Sequence, residues 1–269
     1  SKELSYYTQK YISTKEATKY EQIVERRYID SSNTLILSYN DSSIFDLTEK
    51  NTITKYGNPK FENYSNSLYF NGTTDYLVTN NNDFAFGTGD YTIEMVVKFN
   101  SSLSGTPGIL QISAETTGLS TSYTDGIVIG VSSSNVLTAN VSNLNLGGSI
   151  GVSLNTWYHF ALTRENGITR VFLNGTLISQ NNTSYNITGT YMSIGGYYNT
   201  SYLHEGNIRD LRVIKGKALY TEAFNVDINR MMNYYTIEYK EQLINTDAII
   251  FDVDGDVSKI EGKLLVGSI

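Results

Sequence analysis

The sequence predicts a mainly β protein whose central part is an antiparallel β-sandwich of jelly-roll type. Short apolar runs recur about every ten residues between Asn33 and Phe224, with Gly and Asn between them. The chain has only 2 Pro, and no helical pattern alternates with these runs. Many short strands joined by tight turns are typical of a sandwich rather than of a parallel sheet with crossover helices. An N-terminal helix and a C-terminal β extension are expected to flank the sandwich.

The N-terminal arm, residues 1–32, carries the pattern of one amphipathic helix. Ser13 and Glu16 fit a capping box, in which a hydroxyl and a carboxylate bind free amides at the start of a helix. The apolar residues that follow recur at helical spacing: Ala17, Tyr20, Ile23, Val24 and Tyr28. The sequence therefore predicts a helix over residues 14–29 whose apolar stripe packs on this domain or on a neighbouring subunit.

The sandwich, residues 33–226, shows alternating apolar and polar residues. The clearest run is 91–99, in which Tyr91, Ile93, Met95, Val97 and Phe99 share one face and Glu94, Val96 and Lys98 share the other. Further strands are predicted at 68–70, 76–78, 108–112, 126–131, 136–141, 157–164, 169–173, 191–195 and 206–213. Asn166-Gly167 and Asn174-Gly175 predict two hairpin turns, because Asn-Gly adopts the positive φ values that these turns require.

The C-terminal extension, residues 227–269, changes character again. Residues 234–239 alternate like a strand, 248–253 are strongly apolar, and 262–266 are a possible partner strand. A segment of this length is too short to bury a good core by itself. We expect it to extend the sandwich or to bind another subunit.

Composition excludes several classes of function. The chain has 20 Lys and Arg against 27 Asp and Glu, a net charge of −7, so nucleic acid is an unsuitable partner. It has 0 Cys and 2 His, which excludes thiolate chemistry and multi-histidine metal centres. No apolar run is long enough to span a membrane, and SKELSYYTQK has no signal-like apolar core. We expect no membrane insertion and no export by a signal peptide of its own.

Four blocks of the sequence share a recognisable pattern. The most distinctive is a hairpin in which Trp157, His159 and Ala161 precede a turn and Asn174-Gly175 follows. The others lie at residues 68–77, 87–94 and 206–224. In this order the four blocks resemble the laminin-G-like domains of the concanavalin A-like lectin/glucanase superfamily. The resemblance covers about 67–226 and implies a concanavalin A-like sandwich there.

The segment Lys215–Phe224, after the last block, is similar to versions found in bacteriophage virion structural proteins. This resemblance implies a non-enzymatic protein of a capsid decoration, fibre or tail, assembled in the host cytoplasm. It would form a homo-oligomer and associate with other virion proteins. It could also bind cell-surface glycans for host attachment. The alternative is a secreted glycan-binding module or an accessory domain of a carbohydrate-active enzyme.

Catalysis is not expected. Glucan hydrolases of this superfamily place paired carboxylates in a Glu-x-Asp-x-x-Glu pattern, and this sequence has none. Glu94 is an isolated acid in an apolar strand, while Glu205 and Asp210 are five positions apart and fall on opposite faces of a regular strand. These acids are predicted to be ordinary surface carboxylates.

Asp252, Asp254 and Asp256 form an acidic run at alternate positions. The run resembles the first motif of the haloacid dehalogenase superfamily, but the short tail after it has no room for the other strands that such a phosphatase needs. The three carboxylates could instead hold calcium, although the distal acid of an EF-hand is missing from its usual spacing. A plain acidic turn is the other interpretation, and Asp75 and Asp125 are weaker calcium candidates.

A tyrosine-rich loop at residues 196–202 is the best candidate for carbohydrate binding. Sugars stack on aromatic rings while amides and hydroxyls meet their polar edges. The candidate ligand residues are Tyr197, Tyr198, Asn199, Tyr202 and His204. The alternative is a loop that only packs on its own sandwich, and His159, between large apolar neighbours, is predicted to be structural.

Overall fold

The computed structural model describes residues 17–26, 33–39, 43–101, 103, 106–114, 125–142, 144–197, 202–226, 228 and 235–244. Of residues 17–26 and 235–244 only the backbone is described. The chain divides into two compact units. One is residues 31–231, and the other combines residues 1–30 with 232–269.

Strands dominate the described part of the chain, and one short 3₁₀ helix lies at Asn82–Phe84. Within the described ranges, no helix is long and apolar enough to cross a membrane. The strands are β1 (Ala17–Arg26), β2 (Asn33–Tyr39), β3 (Ile44–Asp46), β4 (Thr54–Tyr56), β5 (Lys60–Glu62), β6 (Ser67–Asn71), β7 (Tyr76–Asn80), β8 (Tyr91–Phe99), β9 (Gly108–Ser113), β10 (Ile127–Val131), β11 (Val136–Val141), β12 (Leu144–Gly151), β13 (Trp157–Glu165), β14 (Ile168–Leu173), β15 (Thr176–Asn181), β16 (Tyr191–Ile194), β17 (Glu205–Lys215) and β18 (Tyr235–Ile244).

Two antiparallel sheets form the larger unit. The seven-stranded sheet has the order β12-β11-β10-β9-β16-β7-β4. The nine-stranded sheet has the order β15-β14-β13-β8-β17-β2-β3, with β6 also paired to β17 and β5 paired to β6. The chain passes repeatedly from one sheet to the other, for example from β6 to β7 and back to β8. This arrangement is the predicted sandwich of jelly-roll type.

The core lies between the two sheets and contains side chains from both. In β8, Tyr91, Ile93, Met95, Val97 and Phe99 are fully buried members of this core, as their alternation predicted. Ile129 and Ile194 reach it from the seven-stranded sheet. Full burial of such side chains contributes about 1.5–3 kcal/mol each, so the alternation that defines the faces also stabilises the fold.

Both predicted hairpin turns are confirmed. Asn166 and Gly167 have φ values of 50° and 81°, and Asn174 and Gly175 have values of 49° and 77°. These left-handed conformations join β13 to β14 and β14 to β15, as expected of Asn-Gly turns. Strand β12, in contrast, was not predicted, because Gly147, Gly148 and Gly151 interrupt its apolar pattern.

The segment after β17 covers part of the outer face of the nine-stranded sheet, the face opposite the core. The hydroxyl of Thr163 donates to the Tyr220 carbonyl at 2.8 Å, and the Phe224 amide donates to the Gly175 carbonyl at 2.9 Å. The hydroxyl of Thr92 accepts from the Leu219 amide at 2.9 Å. We call residues 216–226 the closing segment, because these bonds hold it across the sheet.

In the smaller unit, β1 pairs antiparallel with β18 from Ala17–Ile244 to Arg26–Tyr235. The prediction of a helix over 14–29 is therefore wrong for residues 17–26, while 14–16 and 27–29 lie outside the described residues. Each strand is 10 residues long. Their backbone amides and carbonyls bond across the ladder, whereas in a lone helix they would bond within one segment. Residues such as Thr18, Ile23 and Val24 are favourable in strands, so pairing overrides a weak helical pattern.

The C-terminal strand predicted at 234–239 is confirmed from Tyr235 onward and extends to Ile244. The predicted runs at 248–253 and 262–266 lie outside the described residues. The divisions at 1–32, 33–226 and 227–269 stay predictions, as does the role of the two flanks in assembly.

Candidate functional site

The seven-stranded sheet carries the tyrosine-rich loop on its outer face, the face opposite the core. In β10, Ile129 and Val131 point into the core, so Val128 and Gly130 between them lie on the outer face. Gly130 pairs with Gly108 of β9 and with Thr138 of β11. The absence of side chains at the two glycines leaves a shallow depression across two adjacent strands.

The ring of Tyr197 occupies this depression. A Cβ atom added to Gly108 would lie 1.7 Å from Cδ1 of the ring, and one added to Gly130 would lie 2.8 Å from Cε1. The Tyr197 hydroxyl donates to the Thr106 carbonyl at 3.1 Å. The glycines thus seat the ring on the sheet, which fixes one side of the loop.

Tyr202 stacks on Tyr197. The ring centroids are 5.4 Å apart and the planes differ by 16°. Both side chains are half-buried, and the loop's return to the sheet is fixed by a bridge between Gly196 and Leu203. Because the sheet fixes Tyr197 and Tyr202 stacks on it, the pair forms a preformed aromatic surface. Tyr198 and Asn199, the other predicted loop residues, lie outside the described residues.

His204 is placed in the interior and not beside the tyrosine pair. Its side chain is 0% exposed and meets Phe99 edge to face at a centroid distance of 5.2 Å. Burial lowers the pKa of His204 to about 4, against an opposing contribution from the backbone of Asn207. Among the described residues, neither ring nitrogen has a hydrogen-bond partner of standard geometry. His204 is therefore a buried packing residue and offers no atom to an external ligand.

A second tyrosine pair, Tyr56 and Tyr76, was not predicted as part of any site. The two residues pair in register between β4 and β7, and their rings stack at 4.5 Å with planes 5° apart. Tyr76 alternates with the core residue Leu77, so this pair also lies on the outer face. A three-residue edge strand such as β4 has no readable alternation, so the sequence did not indicate this pair.

The outer face of the seven-stranded sheet is polar but uncharged. One row across it includes Asn140, Gln111 and Ser193, aligned by strand pairing with Val128 and Val78. All residues of the seven strands are described, and Lys55 is the one Lys, Arg, Asp, Glu or His among them. Lys55 pairs with the core residue Leu77 and so alternates away from the outer face. Gln111, Ser193, Val128 and Val78 are themselves buried, so the centre of this face is covered and only residues toward its edges, such as Asn140, are partly exposed.

The nine-stranded sheet has the opposite character, with a buried ionic cluster on its outer face. Glu94 is fully buried there, although the sequence predicted a surface acid. Its Oε2 lies 3.2 Å from Nε2 of His159 and accepts from the Tyr220 hydroxyl at 2.8 Å. Its Oε1 accepts from Nε of Arg212 at 2.6 Å and also contacts Nη2 of that residue.

The electrostatics of this cluster favour an ionised Glu94. Burial acts to raise the pKa of Glu94, but the hydrogen bond with His159 and the charge of Arg212 outweigh it. The pKa of Glu94 therefore lies below its usual value. Both of its carboxylate oxygens have protein partners beneath the closing segment. Glu94 is held as a structural anion and is not presented to an external substrate.

Asp210 lies near this cluster in an irregular part of β17. The register of β17 against β8 shifts between Arg209 and Arg212, and Asp210 has a φ of 56°. Burial raises the pKa of Asp210 to about 7, against the lowering effect of Arg209, whose Nη1 lies 3.2 Å from Oδ2. Glu205, the other acid considered, contacts the Ser101 hydroxyl instead. The two acids therefore do not share a partner.

No metal centre is assembled within the described ranges, where no group of three His, Asp or Glu side chains could hold an ion. Asp75 accepts from the Asn58 amide at 2.8 Å and the Asn71 amide at 3.2 Å, which makes it a turn-stabilising acid. Asp125 accepts from the Ser142 hydroxyl at 3.2 Å. Asp252, Asp254 and Asp256 lie outside the described residues, so calcium binding by them stays a prediction.

Comparison with protein families gives one match. Residues 71–222, more than half of the chain, match the model of the Concanavalin A-like lectin/glucanases superfamily. This range runs from the turn after β6 into the closing segment and agrees with the four blocks in the sequence. The chain matches no curated protein sequence.

Solved structures show the same fold at low identity. The binding domain of Botulinum Neurotoxin DC in complex with SialylT is 16% identical with a TM-score of 0.52, covering 71% of this chain and 49% of that one. This chain thus spans about half the length of that binding domain. The binding domain of Paraclostridial Mosquitocidal Protein 1 is 12% identical with a TM-score of 0.54, covering 72% and 50%.

A shorter structure is covered almost completely. Domain 4 of AbnA, a GH43 extracellular arabinanase from Geobacillus stearothermophilus, in complex with arabinotriose, is 15% identical with a TM-score of 0.51. The alignment covers 69% of this chain and 93% of that domain. At these identities the likeness concerns the fold.

Proposed function

Because this chain belongs to the concanavalin A-like lectin/glucanase superfamily, we propose that it is a non-enzymatic domain that binds glycans through its tyrosine-rich loop. The observation that carries the proposal is the Tyr197–Tyr202 stack, seated on Gly108 and Gly130 and half-exposed above an uncharged sheet face. Rigid aromatic rings contact ligands at a low cost in conformational entropy. The complexes with SialylT and arabinotriose support a sugar ligand for sandwiches of this kind.

Absence of catalysis is part of the proposal. A glycoside hydrolase of the usual type needs two carboxyl groups that face the same substrate. Glu94 is occupied by His159, Arg212 and Tyr220, and Asp210 is paired with Arg209, which argues against such a pair in this sheet. Binding without turnover is therefore the expected behaviour.

The proposal is tested with an array of immobilised glycans probed with the full chain. We expect selective binding that Tyr202→Ala abolishes and that Tyr64→Ala leaves unchanged, because Tyr64 is 105% exposed and outside the loop. Circular dichroism checks that both variants are folded. Binding that survives Tyr202→Ala would overturn the assignment of the site, and no binding to any glycan would overturn the function.

The virion role is proposed for the whole chain. The segment Lys215–Phe224 is similar to segments of bacteriophage structural proteins, and the flanks pair with each other in β1 and β18 as a unit of their own. We expect the protein to form a homo-oligomer, to associate with other virion proteins after assembly in the host cytoplasm, and to bind host-surface glycans. Capsid, fibre and tail are equally compatible with this proposal.

The experiment for assembly is the solution mass of the full chain by light scattering, compared with Val24→Pro. Proline in the middle of β1 removes an amide from the β1–β18 ladder, whereas Val24→Ala keeps that amide and is the control. An oligomer that only the proline variant loses supports assembly by the flanks. A monomeric full chain would contradict it, and absence of the chain from purified particles by mass spectrometry would contradict a virion role.

The second candidate is a secreted binding module or accessory domain of a carbohydrate-active enzyme. The 93% coverage of domain 4 of AbnA favours it, since that domain is itself part of an arabinanase. A monomer that binds glycan through Tyr202 would support this candidate over the virion role.

A further inference from the structure

We propose that Asn166 is a site of covalent modification, at which the side-chain amide is lost by spontaneous deamidation. The reacting group is the Asn166-Gly167 pair itself, and its co-reactant is water. The sequence contains three Asn-Gly pairs, which begin at Asn71, Asn166 and Asn174. The folded chain hinders the reaction at the first and the third and leaves it open at Asn166.

The chemistry needs a side chain that can rotate and a backbone nitrogen that can be reached. The backbone nitrogen of Gly167 attacks Cγ of Asn166, so that a C–N bond forms and the amide proton of Gly167 passes to solvent. The side-chain nitrogen takes up a proton and leaves as ammonia. Water then opens the resulting succinimide ring at either carbonyl, which gives aspartate or isoaspartate. Because glycine has no side chain, it hinders this attack less than any other residue.

The side chain of Asn71 is fixed by hydrogen bonds. Its Oδ1 accepts three backbone amides, at 2.9, 2.9 and 3.2 Å, from Thr73, Thr74 and Asp75. Its Nδ2 donates to the Thr74 hydroxyl at 2.8 Å. A Cβ atom added to Gly72 would lie 2.7 Å from Cβ of Glu205, so the space beside the glycine is filled. Rotation of Asn71 toward the Gly72 nitrogen would break all of these bonds.

Asn174 is fixed by His159 of β13. Its Oδ1 accepts from the His159 amide at 2.9 Å, and its own amide donates to the His159 carbonyl at 2.8 Å. The closing segment covers the following residue, because a Cβ atom added to Gly175 would collide with the Phe224 carbonyl oxygen. Deamidation here would require loss of the bond to His159 beneath a covered glycine.

Asn166 has neither restraint. Its side chain is exposed, and the part of the chain that the structure describes offers its amide group no hydrogen-bond partner. Its backbone amide donates to Oδ1 of Asp90 at 2.9 Å, which holds the turn and leaves the side chain free to rotate. A Cβ atom added to Gly167 would approach nothing closer than Cβ of Ser184 at 3.6 Å, an ordinary contact distance. Of the three pairs, Asn166-Gly167 therefore reacts fastest.

The products change both the charge and the length of the turn between β13 and β14. Aspartate is ionised at neutral pH, so the reaction adds one negative charge to a chain of net charge −7. The new carboxylate follows Glu165 directly and lies near Asp90, which holds the same turn. Isoaspartate also inserts one methylene group into the backbone between Glu165 and Ile168, which pair across the hairpin. Because loop length sets the register of a hairpin, this insertion disturbs the pairing at the end of β13.

The experiment is incubation of the full chain at mildly alkaline pH and physiological temperature, natively and in concentrated urea, with peptide mass mapping at intervals. In the native protein, we expect Asn166 to deamidate at least about fivefold faster than Asn71 and Asn174, the factor that corresponds to one ordinary hydrogen bond. In urea the three rates should converge, because the restraints on Asn71 and Asn174 are lost. Asn166→Gly is the control, since glycine also suits this turn, and its ion-exchange profile should lack the acidic species.

Three results would overturn the proposal. Native deamidation of Asn71 or Asn174 at the rate of Asn166 would show that the fold does not select the site. A preference for Asn166 that persists in urea would assign it to the neighbouring sequence instead of the structure. An acidic species that Asn166→Gly still forms at the wild-type rate would place the modification elsewhere. These results are independent of glycan binding, so the proposed function stands or falls separately.

Discussion

The hydroxyl of Tyr220 donates to Oε2 of Glu94 at 2.8 Å, although 126 positions separate the two residues in the chain. This bond joins the closing segment to a buried anion on the outer face of the nine-stranded sheet. The ring of Tyr220 also stacks on Phe224 with centroids 3.7 Å apart. The closing segment is therefore held by a polar contact and an aromatic contact at the same point.

Tyr220→Phe removes the polar contact and keeps the ring. Glu94 then loses one of its hydrogen-bond donors while remaining buried, and a hydrogen bond to a charged group contributes about 1.5–3 kcal/mol. We expect the free energy of unfolding in urea to fall by that amount. Tyr64→Phe, at a fully exposed tyrosine, should change it by less than about 0.5 kcal/mol. Equal stabilities of the two variants would show that the bond to Glu94 contributes nothing.

The Glu94 cluster also shows where sequence reasoning ends. The faces of β8 and the two Asn-Gly turns were predictable, because alternation and turn chemistry are local properties. The partners of Glu94 were not, since Arg212 and Tyr220 reach it from 118 and 126 positions away. The sequence showed only an isolated carboxylate in an apolar strand, and we predicted it to be a surface acid, whereas Glu94 is fully buried.

The sequence likewise predicted only part of the candidate site. The abundance of tyrosine in residues 196–202 indicated a contact loop, but its seat depends on Gly108 and Gly130, which lie in other strands. His204 is adjacent in sequence to this loop and yet points into the core, because the chain re-enters the sandwich at Leu203. The helix predicted over 14–29 failed for a related reason, since β1 is defined by a partner strand near the other end of the chain.

Asp210→Asn should change the pH dependence of stability. The pKa of Asp210 is about 7 in the folded protein, against an ordinary value of 3.8. Between these values the folded state holds a proton that the unfolded chain releases, so this carboxyl makes stability fall as pH rises from about 4 to 7. Asparagine tolerates the positive φ at this position and does not titrate.

The measurement is a series of urea denaturations between pH 4 and 8 for the wild type and Asp210→Asn. The difference in unfolding free energy, wild type minus variant, should decrease with rising pH by up to about 4 kcal/mol in total. Two parallel profiles would mean that Asp210 is ionised in the folded protein across this range.

His204→Phe should produce the opposite slope. The pKa of His204 is lowered to about 4 by burial, against an ordinary 6.5, so the unfolded chain binds a proton that the folded state excludes. This histidine therefore makes stability rise as pH increases from about 4 to 6.5. Phenylalanine suits the contacts with Phe70 and Phe99, and the variant should lose this rise and gain stability relative to the wild type at pH 5. The same relative stability at pH 5 and pH 8 would contradict a neutral buried imidazole.

Gly108→Ala tests whether the sheet seats the tyrosine pair. The new Cβ atom would lie 1.7 Å from Cδ1 of Tyr197, so the ring must leave the depression and lose its hydrogen bond to Thr106. Overpacking of this kind costs about 1–3 kcal/mol, and the near-ultraviolet circular dichroism of the Tyr197–Tyr202 stack should weaken. Gly151→Ala is the matched control, because its Cβ atom would approach nothing closer than the Asn135 carbonyl oxygen at 3.7 Å. If the two variants have the same stability and the same spectrum, the glycine seat does not position Tyr197, and a glycan site built on that pair loses its structural basis.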